Sequence, residues 1–140
     1  MTSAKGQDPA GPPGSLRLQL ERNVRAPAIA RSAVGEQLLA MGIGGSFAQT
    51  VVLLVSEVVS NAVRHSGGPA DATITLEATI TGDTVRIAVT DAGEGFTPRP
   101  RDPDRLGEGY GLYLVEKAAR NWGVEHDGGT TVWFELAREG

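Results

Sequence analysis

Two periods alternate along this chain. Leu16, Leu18 and Leu20 interleave with Arg17, Gln19 and Glu21, the period of two that a strand with one buried face requires. From Ala28 to Met41 the period lengthens: Ile29, Ala33, Val34, Leu38 and Leu39 recur at helical spacing, with Pro27 at a plausible first turn and Gly42 to Gly45 as a stop. A second helical run opens near Ser46, a candidate N-cap, and ends near Ser66 before Gly67-Gly68-Pro69. Its stripe is Val51, Leu54, Val55, Val58, Val59 and Ala62. Period two returns from Ala72 to Ile80 and again at Val85, Ile87 and Val89, with Gly82-Asp83 between, which predicts a hairpin. The second strand runs into Asp91, and a long loop rich in Pro, Arg and Asp follows from Gly93 to Gly107. Tyr110 to Asn121 predicts a helix, Val124 a short strand, Asp127-Gly128-Gly129 a turn, and Thr131 to Leu136 the last strand. The order β-α-α-β-β-α-β-β predicts an α+β fold: a two-layer α/β sandwich, its mixed sheet covered by helices on one face.

Composition narrows the classes. A chain of 140 residues suffices for one domain with its own core. Met1 to Gly14, rich in Pro, Gly and small polar residues, reads as a disordered tail, leaving 15–140 as the domain. Cysteine is absent, which removes disulfides, thiolate metal sites and a cysteine nucleophile, and fits a reducing cytoplasm. A net charge of -4 argues against direct nucleic-acid binding. No apolar run reaches the ~20 residues that span a bilayer, and the N-terminus lacks the apolar stretch of a signal peptide.

Three stretches carry candidate chemistry. Glu57, Asn61 and His65 are spaced four apart, so they form a row along one edge of the second helix, bordering its apolar stripe. An amide oxygen at Asn61 is a hard ligand suited to Mg²⁺, and a carboxylate one turn earlier can accept a proton. His65 reads as structural or orienting rather than catalytic. Asp91 ends a strand and precedes Gly93 and Gly95; this is either an Asx-type turn or a carboxylate accepting from a ligand amine, with glycines allowing close approach. Gly107, Gly109 and Gly111 lead into a helix whose free N–H groups and positive dipole end suit phosphate. No Gly-Lys-Ser/Thr sequence makes this a Walker A loop, and no strand leads directly into it as a Rossmann turn demands. Arg99, Arg101 and Arg105 read as a solvated loop before a phosphate clamp, and Trp122 and Trp133 as core or edge aromatics.

Together these motifs resemble the ATP-binding domain shared by gyrase, MutL, the ninety-kilodalton heat-shock chaperones and histidine kinases, the GHKL superfamily. Glu57-x-x-x-Asn61 with Arg64-His65 resembles its N box, and Asp91-x-Gly93-x-Gly95 its first glycine box. Gly107-x-Gly109-x-Gly111-Leu112 resembles its second box, and Gly128-Gly129-Thr130 a degenerate last one. The likeness covers about residues 15 to 137. Within the superfamily the chain is most similar to small single-domain anti-sigma-factor serine/threonine kinases. Ser56 to His65, Gly111-Leu112-Tyr113-Leu114-Val115, Asn121-Trp122-Gly123-Val124 and Thr131 to Leu136 carry that likeness. One departure stands out: the second box reads Gly-Glu-Gly-Tyr-Gly-Leu where Gly-Arg/His-Gly-Leu is the pattern, so its loop is one or two residues longer.

The resemblance implies Glu57 as general base and Asn61 as the Mg²⁺ ligand. It implies an ATP-contacting set of Asn61, His65, Asp91, Gly93, Gly95, Phe96, Gly107, Gly109, Tyr110, Gly111, Leu112 and Thr130. Asp91 would read the adenine amine, Gly95 would let the base approach, and Thr130 would add a hydrogen bond beside it. The 96–109 loop would be a lid. The implied activity is phosphorylation of a serine or threonine on a small antagonist protein, sequestration of a sigma factor, or both, in a partner-switching circuit. The implied form is a cytoplasmic homodimer with no nucleic acid or membrane contact. A module that binds ATP and partner without kinase activity is the alternative.

Overall fold

The computed structural model describes residues 14–65, 73–81, 83–91, 110–126 and 129–138, with the side chains at 65 and 110–113 outside the description. The elements come in the expected order: β1 (Ser15–Glu21), α1 (Ala26–Ala40), α2 (Gly45–His65), β2 (Thr73–Ile80), β3 (Thr84–Asp91), α3 (Tyr110–Ala118), β4 (Asn121–His126) and β5 (Thr130–Ala137). Most of the disordered-tail assignment, 1–13, falls outside the described residues. Gly14 itself belongs to the domain: its carbonyl accepts from the Ile80 N–H at 3.0 Å. Its φ of +87° and the collision a Cβ would make with the Ile80 carbonyl oxygen both require glycine there.

The five strands form one sheet in the order β1-β2-β3-β5-β4. Every described pairing is antiparallel, which corrects the expected mixed sheet within an otherwise correct fold class. The reason is topological. Two helices between β1 and β2 return the chain to the end where β1 finished, so β2 must run antiparallel to it. The β3-α3-β4 unit does place two strands in the same direction, but β5 hairpins back between them.

Alternation on β2, β3 and β5 is strict. Ile74, Leu76, Ala78 and Ile80 are buried on β2, Val85, Ile87 and Val89 on β3, and Val132, Phe134 and Leu136 on β5. These residues meet across the ladders, as in Ala78 with Ile87 and Ile87 with Phe134. The other face carries Arg17, Glu77, Thr79, Arg86, Thr90, Thr131 and Glu135, the polar surface of a sheet solvated on one side. All three helices lie on the apolar face. Val51, Leu54, Val55, Val58 and Val59 of α2 are at most 1% exposed, and each such side chain contributes roughly 1.5–3 kcal/mol by burial.

Three local expectations shift. The second helix begins at Gly45, so Ser46 lies inside its first turn, where its carbonyl accepts the Thr50 hydroxyl. The third helix stops at Ala118 rather than 121, because Arg120 N–H bonds the Glu135 carbonyl at 2.8 Å and draws the chain into β4. By length and composition, Gly45–Arg64 is sufficient to cross a membrane, with mean hydropathy 1.4. That apolarity is spent on the core, since the periodic positions of α2 are those buried against the sheet.

Candidate functional site

Topology gathers the chemistry at one end of the sandwich. The last residues of β1 pair with the first of β2, and these pair with the last of β3. The last of β3 pair with the first of β5, which pair with the last of β4. Since α1 runs back from the end of β1, α2 returns toward it, bringing Glu57, Asn61 and His65 there. The far end of α3 leads into β4 at Asn121, so the first turn of α3, with Tyr110, Gly111 and Leu112, also faces this end.

Asp91 is the last residue of β3 and lies directly opposite Thr130, the first of β5. Thr130 in turn lies opposite His126, the last of β4. The three form one row across the sheet on its helix-covered face, because Asp91 and Thr130 continue the buried alternation of their strands. Asp91 is 6% exposed and Thr130 fully buried, so a carboxylate and a hydroxyl replace apolar residues at the last position of each stripe. Polar groups buried in that way need partners. His126 is exposed on the edge strand, and its Nδ1 stands 3.4 Å from the Thr130 Oγ1.

Asn61 is 2% exposed, and among the described residues no hydrogen-bond partner reaches its Oδ1. Its direction follows from helix geometry. Val52 meets α1 at Gly35, where a Cβ would lie 3.6 Å from Val52 Cγ1. Nine residues at about 100° each put Asn61 half a turn away, on the side of α2 that α3 occupies. Glu57, one turn earlier, is half-buried. Outside the row, Arg64 Nη1 donates to Ser60 Oγ at 3.2 Å and points away from the core.

A buried amide oxygen lacking a donor among the described residues is the kind of atom a hard cation takes up. Among the described residues no three carboxylates, histidines or cysteines gather around one point, so an ion at Asn61 would complete its shell from phosphate oxygens and water. Asn61 thus fits Mg²⁺ held together with a polyphosphate.

The remaining sequence candidates are only partly placed. Gly93, Gly95, Phe96, Gly107 and Gly109 lie outside the described residues, as do Arg99, Arg101 and Arg105. His65, Tyr110, Gly111 and Leu112 are placed by backbone, at the end of α2 and the start of α3. Sequence reasoning missed His126. The signal was present: three residues separate 126 from 130, a spacing that sets the two opposite each other in an antiparallel hairpin.

Trp133 is half-buried on the outer face, where the Arg86 guanidinium lies 4.4 Å over its ring. Arg86 also pairs with Glu135 at 3.1 Å. Trp122 faces inward at the sheet edge and packs on the core.

Comparison with known proteins fits this arrangement. No curated protein matches the chain. The crystal structure of the RsbU and RsbW domains of Rv1364c from Mycobacterium tuberculosis is similar with TM-score 0.69 and 26% identity, over 90% of this chain and 33% of that one. The blue-light activated histidine kinase EL346 of Erythrobacter litoralis gives TM-score 0.51 and 22% identity, over 75% and 39%. Its histidine kinase domain gives the same two values over 96% and 65%. The last two show likeness of fold. This chain spans about a third of the Mycobacterium chain and at most 65% of the others. The sequence profile of the histidine kinase-like ATPase domain matches residues 20–136, from the end of β1 through the end of β5. With its sheet, helix order and profile match in agreement, the chain belongs to the family of histidine kinase-like ATPase domains.

Proposed function

We propose that the chain binds ATP with Mg²⁺ between α2 and α3. It acts as a serine/threonine kinase of the anti-sigma-factor type, phosphorylating a small antagonist protein, sequestering a sigma factor, or both. The observation that carries this reading is the buried Asn61 Oδ1, with half-buried Glu57 one turn before it. The likeness to the structure of the RsbU and RsbW domains supports the anti-sigma assignment.

In this reading Asp91 accepts a hydrogen bond from the adenine amine, beside Thr130. Asn61 holds Mg²⁺, which neutralises charge on the triphosphate. Glu57 takes the proton from the attacking hydroxyl, for which it must come within about 3 Å or one water of that oxygen. Gly107, Gly109 and the first turn of α3 offer N–H groups to phosphate. His65 orients the end of α2. Phosphoryl transfer of this kind depends mainly on position and charge stabilisation. The proposed setting is cytoplasmic and dimeric, without nucleic acid or membrane.

A second reading, a nucleotide-dependent binding module without transfer activity, is favoured by the lengthened second glycine box, Gly107-Glu108-Gly109-Tyr110-Gly111-Leu112. Glu57→Gln separates the two. It keeps the side chain's shape and removes the proton acceptor. Nucleotide affinity should stay within about threefold, and transfer of labelled phosphate to an antagonist should fall about 10²–10⁴-fold. Transfer at the parent rate would remove Glu57 as the base. A parent that binds ATP but neither labels an antagonist nor hydrolyses ATP moves the reading to the binding module.

A further inference from the structure

The proposed chemistry uses Glu57 and Asn61 and leaves the ridge of α2 beside them idle. Leu53, Ser60 and Arg64 lie within about 60° of Glu57 around the helix, on the side away from the buried stripe. Leu53 is 49% exposed, and Arg64 is exposed as well. The Arg64 guanidinium is held on this ridge, because its Nη1 donates to the Ser60 Oγ at 3.2 Å. Among the described residues no carboxylate pairs with it. A candidate base thus stands on one ridge between an apolar side chain and a tethered cation whose charge is uncompensated there.

We propose that this ridge docks the segment that carries the accepted serine or threonine. The segment is extended, with an apolar side chain on one side of its hydroxyl and a carboxylate on the other. Helix geometry sets the spacing. Leu53 lies one turn before Glu57, about 6 Å along the axis, and Arg64 lies two turns after it, about 10 Å. An extended chain advances about 3.3 Å per residue. The apolar residue therefore falls two positions from the hydroxyl, and the carboxylate three positions away on the other side. Burial against Leu53 supplies affinity, while the exposed charge of Arg64 supplies selection more than strength. Once docked, the hydroxyl gives its proton to Glu57 and bonds to the γ-phosphorus, and ADP leaves with the electrons of the broken bond. This inference rests on Glu57 as the base of a kinase. It adds the substrate class, an acidic and apolar segment, and two residues that touch substrate but not nucleotide.

The test measures transfer of labelled phosphate from Mg-ATP by the full chain to three synthetic serine peptides. One has leucine two positions before the serine and aspartate three after, one has the reverse order, and one has alanine at both positions. One of the first two should show a KM about three- to tenfold below that of the alanine peptide. Leu53→Ser should remove most of that advantage, leaving kcat and ATP affinity unchanged. Arg64→Glu should reverse the charge preference, so that lysine in place of the aspartate is favoured about two- to fivefold, the scale of an exposed ion pair. A merely structural arginine would lose rate without exchanging its preferred partner. Three outcomes overturn the proposal and spare the kinase reading: equal KM for all three peptides, an aspartate preference that survives Arg64→Glu, and ATP hydrolysis without labelling of any peptide. Loss of ATP affinity in Arg64→Glu overturns it too, by making Arg64 a phosphate contact. A parent that neither labels a peptide nor hydrolyses ATP overturns both.

Discussion

At the scale of single residues, Asn61 is the position where stability and function pull apart. A buried oxygen that no donor reaches among the described residues costs on the order of 1–3 kcal/mol when it is left unsatisfied. Asn61→Leu keeps the branched shape and the number of heavy atoms, with somewhat more bulk, and removes that oxygen. The ligand-free variant should therefore unfold at the same urea concentration as the parent or higher. The same variant should lose the effect of Mg²⁺ on nucleotide binding. In the parent, Mg-ATP should raise the melting temperature above that with ATP in EDTA, because a ligand held only by the folded state stabilises it. In Asn61→Leu the two conditions should coincide. A magnesium-dependent rise equal to the parent's would mean that another group carries the ion.

At the scale of elements, two glycines respond to the same substitution with opposite sign. Gly35 lies within α1, and a Cβ there would sit 3.6 Å from Val52 Cγ1, an ordinary contact. Gly35→Ala removes the entropic penalty of a helical glycine and should stabilise the chain by about 0.5–1 kcal/mol. Gly123 lies on β4 opposite Trp133, and a Cβ there would come within 2.9 Å of the indole Nε1. The ring cannot yield easily, since Arg86 covers it from the other side. Gly123→Ala should destabilise by about 1–3 kcal/mol. Urea midpoints of the two variants measure both. The same patch sets an acid limit. Hydrogen bonds from Asn121 at 3.1 Å and from Arg86 hold the Glu135 carboxyl below its ordinary value of 4.5. The folded state is favoured by the ionised form, so this contribution is complete above about pH 4.5 and fades as the pH falls through the lower folded value. Glu135→Gln should thus lower the urea midpoint at pH 7, and the gap to the parent should shrink in acid. A gap that is constant with pH would assign the loss to packing instead. Element order was legible because alternation on β2, β3 and β5 and the stripe on α2 each satisfy a single period. The pairing partner of each strand was not, because β5 enters between β3 and β4 only through tertiary topology. The spacing of Glu57, Asn61 and His65 showed one edge of a helix, but the direction of that edge needed the Gly35–Val52 contact. His126 lies opposite Thr130 by hairpin spacing, but its place in one row with Asp91 emerges only across two ladders.

At the scale of the whole molecule, the sheet has two edges. β4 at one edge is six residues long and, among the described residues, pairs only with β5. β1 at the other edge is seven residues long and, among the described residues, pairs only with β2. An edge strand presents backbone donors and acceptors to any chain that can align with it. Close by, Val24 is 91% exposed and Ile29 50%, at the junction of β1 and α1. Apolar side chains beside an open edge favour association over a solvated end. The protein is therefore expected to form a homodimer through β1 and this junction, with a mass twice the 14.6 kDa of the chain. A Val24→Lys, Ile29→Lys double variant changes exposed positions and leaves the core residues Leu16, Leu20 and Ala26 in place. It should run as a monomer in light scattering and sedimentation at concentrations where the parent is a dimer. Its melting temperature at high dilution, where both are monomeric, should match the parent's. If instead the parent scatters as a monomer at high concentration, with and without Mg-ATP, the β1 edge is not a homodimer surface.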